Sequence, residues 1–532
     1  MAEDNKKVGR STPQPPNLGG SLTLKRIRIT LATVTLVGLT WLFVDFTGTA
    51  HHWLSWLPKI QFLEALLALN VIALLFLVIL TLVFGRIYCS IICPLGILQD
   101  IFGKLGMKAK KNRYSYSPEK RWLRYGVLAL GVGCWVLGVS SIVQLLAPYS
   151  AFGRMATTLL QPLWKMGNNV LAGIAEQQDS YAFYHVETAV PNITVVTVIA
   201  VVTLMVLAVL AWRNGRTYCN TICPVGTLLS FLSRFSWLKI HFDTEKCRNC
   251  SLCTKNCKAS CIDYKTHTVD YSRCVVCGDC LESCKFGALT YKPYGAHGTY
   301  GTYGANGTNE ANKANETNET NGAPTPSRRS FLLASALLTT AAMAEDAKKV
   351  DGGLAEIEDK VAPERQTPLT PPGSLSAKNM ASHCTGCQLC VSECPNQVLR
   401  PSTDWLSIMQ PTMSYELGYC RPECTRCSEV CPAGAIRPIK HEDKSSTQIG
   451  HAVWIKKNCL PLTDGVECGN CARHCPVGAI EMVPSDPDDE ESPYVPAINE
   501  ARCIGCGACE YLCPARPFPA IYGEGHEVHK EV

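Results

Sequence analysis

The chain has 532 residues, too many for one hydrophobic core, so two or more domains are expected. Its 50 Lys and Arg against 45 Asp and Glu leave it only mildly basic, which gives no sign of a nucleic-acid partner. The 30 cysteines, almost all in tight runs, exceed anything packing requires and must be ligands or disulfides.

Residues 1–24 form a tail carrying Lys6, Lys7 and Arg10. Residues 25–239 hold four apolar stretches, roughly 27–46, 62–84, 122–143 and 192–212, each near the ~20 residues needed to cross a bilayer. Basic residues mark the cytoplasmic side. Lys25, Arg26 and Arg28 lie at the start of the first stretch, and Arg86, Lys104, Lys108, Lys110, Lys111, Arg113, Lys120 and Arg121 lie between the second and third. Only Lys59 follows the first stretch, and only Arg154 and Lys165 follow the third. The expected fold is an α-helical membrane bundle of four transmembrane helices, with both its ends cytoplasmic, joined to α+β ferredoxin-like modules.

The helical unit is internally repeated. Residues 85–96 read GRIYCSIICPLG and residues 215–226 read GRTYCNTICPVG, 130 positions apart, so two pseudo-symmetric hairpins are expected. In each C-x3-C-P motif the cysteines are four apart and would share a helix face. Pseudo-symmetry would then gather Cys89, Cys93, Cys219 and Cys223 near the cytoplasmic membrane face as an additional metal or Fe–S site. A redox-active thiol site, or thiols that only pack, competes with that reading. Cys134, within the third stretch, reads as a small buried hydrophobe.

Residues 240–292 form a short cysteine-rich module. The run C-x2-C-x2-C-x3-C supplies three thiolates to one [4Fe–4S] cluster and a fourth to its neighbour. Cys247, Cys250, Cys253 and Cys257 form one run, and Cys274, Cys277, Cys280 and Cys284 the other. The expected sets are Cys247, Cys250, Cys253 with Cys284, and Cys274, Cys277, Cys280 with Cys257. Lys258 and Lys285 stand where proline usually follows, and Cys261 competes with Cys257.

Residues 293–326 are low-complexity and read as a flexible linker, whose Asn306, Asn315 and Asn318 triplets match glycosylation sequons by composition. Residues 327–344 follow as SRRSFLLASALLTTAAMA, with Arg328 and Arg329 ahead of a short apolar run, the pattern of a twin-arginine export signal or an anchor. Residues 345–375 read as a spacer.

The last domain, 376–522, carries four runs before a tail, 523–532. They are Cys384, Cys387, Cys390, Cys394; Cys420, Cys424, Cys427, Cys431; Cys459, Cys468, Cys471, Cys475; and Cys503, Cys506, Cys509, Cys513. Proline follows each fourth cysteine, at Pro395, Pro432, Pro476 and Pro514. Because the two inner runs are stretched, a nested arrangement is favoured, outer runs exchanging fourth cysteines and inner runs doing likewise; tandem pairing is the alternative. Zinc or disulfides would not need a third and fourth cysteine at these steps, so six [4Fe–4S] clusters are expected in all.

These residues resemble the membrane (NapH-type) and exported (NapG-type) iron–sulfur subunits of the quinol dehydrogenase serving periplasmic nitrate reductase. The first likeness rests on the two C-x3-C-P motifs and the module after them, the second on SRRSFL and the four runs; here the two are fused. The resemblance implies a protein of the inner (cytoplasmic) membrane that oxidises quinol from the membrane quinone pool. Its electrons would go to a periplasmic c-type cytochrome or a terminal reductase, and the C-terminal domain would be periplasmic, with room for further membrane subunits. The competing class is a redox maturation or regulatory factor for another metalloenzyme. No apolar stretch contains histidine, which disfavours a buried haem b. His51, His52 and His185, near Asp45, Glu64 and Glu187, are candidates to take quinol protons, or are simply solvated.

Overall fold

The computed structural model describes residues 18–109, 114–180, 183–186, 195–294, 358–489 and 491–531. The twin-arginine segment, the linker from residue 295, the first part of the spacer, the N-terminal tail to residue 17 and Glu187 lie outside the described residues.

The first expected span is one helix, α1 (Leu18–Val44). The second is two helices, α2 (Phe62–Leu67) and α3 (Val71–Phe84), because Leu69 turns left-handed (φ 51°) and Asn70 caps α3 by accepting from Ala73 N at 3.2 Å. Gly85 (φ 80°) ends α3, and the chain turns through α4 (Tyr88–Ile91) into α5 (Pro94–Lys108). The third span is also broken: α6 (Arg121–Val136) stops before Gly138 (φ 82°), and α7 (Ser141–Leu146), α8 (Pro148–Met155) and α9 (Gln161–Glu176) follow. The fourth is α10 (Val195–Asn214), and Gly215, α11 (Thr217–Thr221) and α12 (Pro224–Ser233) repeat the turn of the first half. Among the described residues two helices, Leu24–Val44 and Val195–Asn214, are long and apolar enough to cross a membrane by length and composition.

The repeat is a reciprocal one. Helix α5 packs along α10 of the other half, and α12 packs along α3. Arg216 Nη1 donates to Cys89 O at 2.6 Å, and Arg86 Nη2 donates to Cys219 O at 3.1 Å. A Cβ added at Gly96 or Gly226 would meet Cys89 O or Cys219 O at 2.2 Å, so each motif closes on its own glycine.

In the first module β1 (Leu238–Phe242) pairs antiparallel with β2 (Leu289–Pro293), closing the unit around its cysteine loops. It sits at one end of the helical unit. Trp237 N bonds Leu82 O at 2.7 Å, Tyr291 Oη donates to Phe84 O at 2.9 Å, and Lys25 pairs with Asp279 and Glu282.

The last domain is two ferredoxin-like units in tandem. Strands β3 (Leu399–Pro401) and β4 (Pro411–Met413) pair in the first. In the second, β5 (Thr447–Trp454) pairs with β8 (Ile521–Glu531), and β6 (Ile480–Pro484) with β7 (Tyr494–Ile498). Residues 523–531 are thus the body of β8 rather than a tail. The spacer is built in from residue 358: Lys360 Nζ donates to the carbonyls of Glu510, Tyr511 and Cys513, and Arg365 forks onto Glu510 at 2.6 and 2.8 Å. This domain caps the opposite end of the helical unit. Gln144 Nε2 donates to Cys384 O at 3.2 Å, Gln161 Nε2 to Ser392 O at 3.2 Å, and Arg426 Nη2 to Thr47 O at 3.3 Å.

Candidate electron-transfer centres

Four small cavities are each lined by four cysteines, three from one run and one from its partner. In the first module the set is Cys247, Cys250, Cys253 and Cys284. In the last domain the sets are Cys420, Cys424, Cys427 with Cys394; Cys459, Cys468, Cys471 with Cys513; and Cys503, Cys506, Cys509 with Cys475. Two further groups face the helical unit. Cys274, Cys277 and Cys280 gather near Cys257, and Cys384, Cys387 and Cys390 near Cys431. Convergence of four thiols on a cavity is what a [4Fe–4S] cube requires, and the residues fit it.

The last domain therefore pairs first run with second and third with fourth, correcting the nested arrangement. The stretch in the third run, Cys459 to Cys468, is taken up locally by a helical turn, Leu460–Thr463, rather than by reaching across the domain. The loops wrap their cavities by left-handed residues between the cysteines, such as Asn249 and Ser251, Gly386 and Gln388, and Gly505 and Gly507.

Burial pushes the Cys384 and Cys506 thiols up to about 12 and Cys471 up to about 11. As free thiols they would be neutral, so loading iron must displace protons. Cys257 goes the other way, down to about 7, because its sulfur shares a hydrogen bond with Cys261 Sγ at 3.5 Å. Cys261 also neighbours Cys274, so it lies beside this group as a fifth thiol.

The centres follow a spatial order. In the last domain, Cys420 N bonds Cys506 O at 3.0 Å and joins the two units. From the helical unit outward the sets run Cys384, then Cys420, then Cys503, then Cys459.

The C-x3-C-P cysteines differ from their expected placement. Cys89 and Cys219 lie on the short helices α4 and α11, whereas Cys93 and Cys223 are extended residues capping α5 and α12. Proline at the next position excludes the helical conformation before it, so i,i+4 geometry is lost. Nor do the thiols sit simply at the end near the first module. Tyr88, beside Cys89, donates Oη to Gln61 Oε1 at 3.0 Å and accepts from Phe62 N at 3.1 Å, at the start of α2. Among the described residues no three His, Cys, Asp or Glu side chains are close enough to hold a single metal ion.

Of the candidate proton acceptors, His185 is exposed beside Glu176, and His52 packs edge-on to Trp53. Asp45 accepts from Thr47 N and Ala50 N and shapes its own loop. Glu64 is different: it is buried against Thr385, between Cys384 and Cys387, with Tyr149 close by. Glu64 Oε1 and Tyr149 Oη are both buried without a hydrogen-bond partner. No motif marks this grouping, since it assembles from three distant segments.

Comparison with known proteins agrees with the cysteine pattern. A 4Fe-4S binding domain model matches residues 66–113 and 194–244, another matches 267–290, and a 4Fe-4S dicluster domain model matches 383–435 and 466–516. The chain is 31% identical over 182 residues to the ferredoxin-type protein NapG of Escherichia coli, covering 32% of this chain and 78% of NapG. It is 29% identical over 166 residues to the methylamine utilization ferredoxin-type protein MauM of Methylobacillus flagellatus, covering 30% of this chain and 70% of MauM. It is 28% identical over 180 residues to the putative electron transport protein YccM of Escherichia coli, covering 34% of this chain and 43% of YccM. No solved structure matches. The cysteine-lined cavities and these likenesses together make the chain an iron–sulfur electron-transfer protein of the ferredoxin-type family to which NapG belongs.

Proposed function

We propose that the chain is a membrane-bound quinol dehydrogenase that holds six [4Fe–4S] clusters and passes electrons from the membrane quinone pool to a periplasmic cytochrome or reductase. A bilayer location is supported by the apolar side chains left outward on the helical unit, among them Val34, Val37, Ile72, Leu75, Val202 and Val206. The likeness to NapG and the twin-arginine segment support a periplasmic last domain.

The observation that carries the reading is the buried group at Glu64. A quinol gives up two protons with its two electrons. Glu64 supplies a carboxyl to receive a proton, Tyr149 supplies a donor for a headgroup oxygen, and the Cys384–Cys387 loop lies against them. When bound, the cluster at Cys384, Cys387, Cys390 and Cys431 supplies one-electron acceptance.

The maturation-factor reading needs thiols or metal within reach of a client. Cys89, Cys93, Cys219 and Cys223 are only 2–3% exposed, which disfavours it. Anaerobic mixing of the purified full chain with a reduced quinol analogue tests the proposal. Reduced-cluster EPR signals are expected; intact clusters that stay oxidised would overturn it.

A further inference from the structure

A cavity lies where the helical unit meets the first module. Its wall takes Lys25 from α1, Asp100 and Lys104 from α5, Arg216 from the turn after α10, and Lys258 and Asp279 from the first module. We propose that this cavity binds the phosphate group of an anionic ligand, either a phospholipid headgroup or a soluble phosphate.

Charge is the first reason. Four cations stand against two carboxylates around the cavity, an excess of positive charge in a partly enclosed space that an anion would offset. The carboxylates are already engaged. Asp100 pairs with Arg28 and Lys258 through Oδ2 and with Arg216 through Oδ1, while Asp279 pairs with Lys25 through Oδ1 and with Lys258 through Oδ2. Each of the four oxygens therefore has a cation on it, which leaves none to bind a metal ion. Lys104, by contrast, has no ion pair among the described residues. Burial, and then the neighbouring Lys258, push its ammonium below the usual lysine value.

Open hydrogen-bonding positions are the second reason. Arg216 and Tyr114 are buried residues of the cavity wall, and Arg216 Nη2 and Tyr114 Oη have no hydrogen-bond partner. Burial pushes the Tyr114 phenol up to about 12, so it keeps its proton to donate at neutral pH. A Cβ added at Gly103, also in the wall, would meet Tyr114 Oη at 2.8 Å, so the hydroxyl stands against α5 beside Lys104. A guanidinium, a phenol and an ammonium with donors to spare suit the several oxygens of one phosphate. Gln99 Oε1, likewise buried without a partner, can accept from a hydroxyl of the ligand.

Position points to the two sources. Lys25 lies at the start of the first apolar stretch, on the side that the basic loops mark as cytoplasmic. Basic pockets at that level of a membrane protein meet anionic headgroups from the bilayer and phosphates from solution alike.

The cavity is separate from the group at Glu64 and its test uses no quinol, so it fails independently of quinol oxidation. The full chain, stripped of lipid in detergent, is offered radiolabelled inorganic phosphate in equilibrium dialysis. In a second arm it is offered phosphatidylglycerol or phosphatidylcholine in mixed micelles, with retained lipid read by native mass spectrometry. Saturable binding of phosphate, or of phosphatidylglycerol in preference to phosphatidylcholine, is expected; the first alone identifies a soluble ligand and the second alone a headgroup. Lys104→Gln and Tyr114→Phe should each weaken that binding by about tenfold or more with thermal melting unchanged. Lys108→Gln, which removes the same charge from the same helix outside the cavity, should leave it as in the wild type. Lys104 is exposed, so its variant keeps the comparison open even where Tyr114→Phe melts early. No saturable binding in either arm, equal weakening by Lys108→Gln and Lys104→Gln, or full binding by a folded Tyr114→Phe would each overturn the proposal.

Discussion

At the scale of single residues, two buried carboxylates carry different duties. Asp100 accepts from Arg28 at 3.2 Å, Arg216 at 2.7 Å and Lys258 at 2.7 Å, tying both halves of the repeat to the first module. Burial alone would raise its carboxyl, but Arg216 and Lys258 hold it well below the usual carboxylate range. Its stabilisation is therefore present above the unfolded value of about 4 and is lost only as pH falls through the depressed one. Asp100→Asn should cost about 3–5 kcal/mol near neutral pH by leaving buried cations unpaired, read by thermal melting, and should remove that acid limb. Glu64, by contrast, should matter to turnover. Glu64→Gln should lower quinol oxidation by about 10²-fold or more while leaving cluster EPR intensity under dithionite unchanged. In the sequence Glu64 stands out only as one acid near His51 and His52, because its value comes from burial beneath Thr385, some 320 positions away.

Elements were legible where one physical rule decides them. Cysteine spacing identified every run, and the repeat of GRxYCxxICPxG identified the two halves. Hydropathy measured apolar length but not continuity, so the breaks at Leu69 and Gly138 were invisible to it. The i,i+4 reading of the C-x3-C-P cysteines failed because proline at the next position overrides helical spacing. Glycine in these turns has a sharp consequence. Gly96→Ala and Gly226→Ala should each disrupt the thiol site, since the new Cβ would sit 2.2 Å from a backbone oxygen, whereas Gly126→Ala has open space around it. Thermal melting of the purified variants reads the difference. Run pairing is testable in the same way. Cys384→Ser and Cys431→Ser strike one cluster in the tandem arrangement, so the double variant should lose no more iron than either single one. A nested arrangement would give additive losses.

At the scale of the whole molecule, the centres form a line whose ends lie on opposite sides of the helical unit. The buried core is continuous from the first module through the C-x3-C-P thiols to the first unit of the last domain, while the outer unit has a separate core around Cys459, Cys503 and Cys509. That division suits a chain that takes electrons in its interior and gives them up at an outer surface. Which cysteines would meet between the two ends of the helical unit depended on how the repeats pack, which spacing alone does not give. The most direct measurement of this two-sided redox architecture is protease access in intact spheroplasts, with antibodies to each part. Cleavage of residues 376–531 with protection of residues 240–292 is the expected result, and equal protection or equal cleavage of both would contradict it.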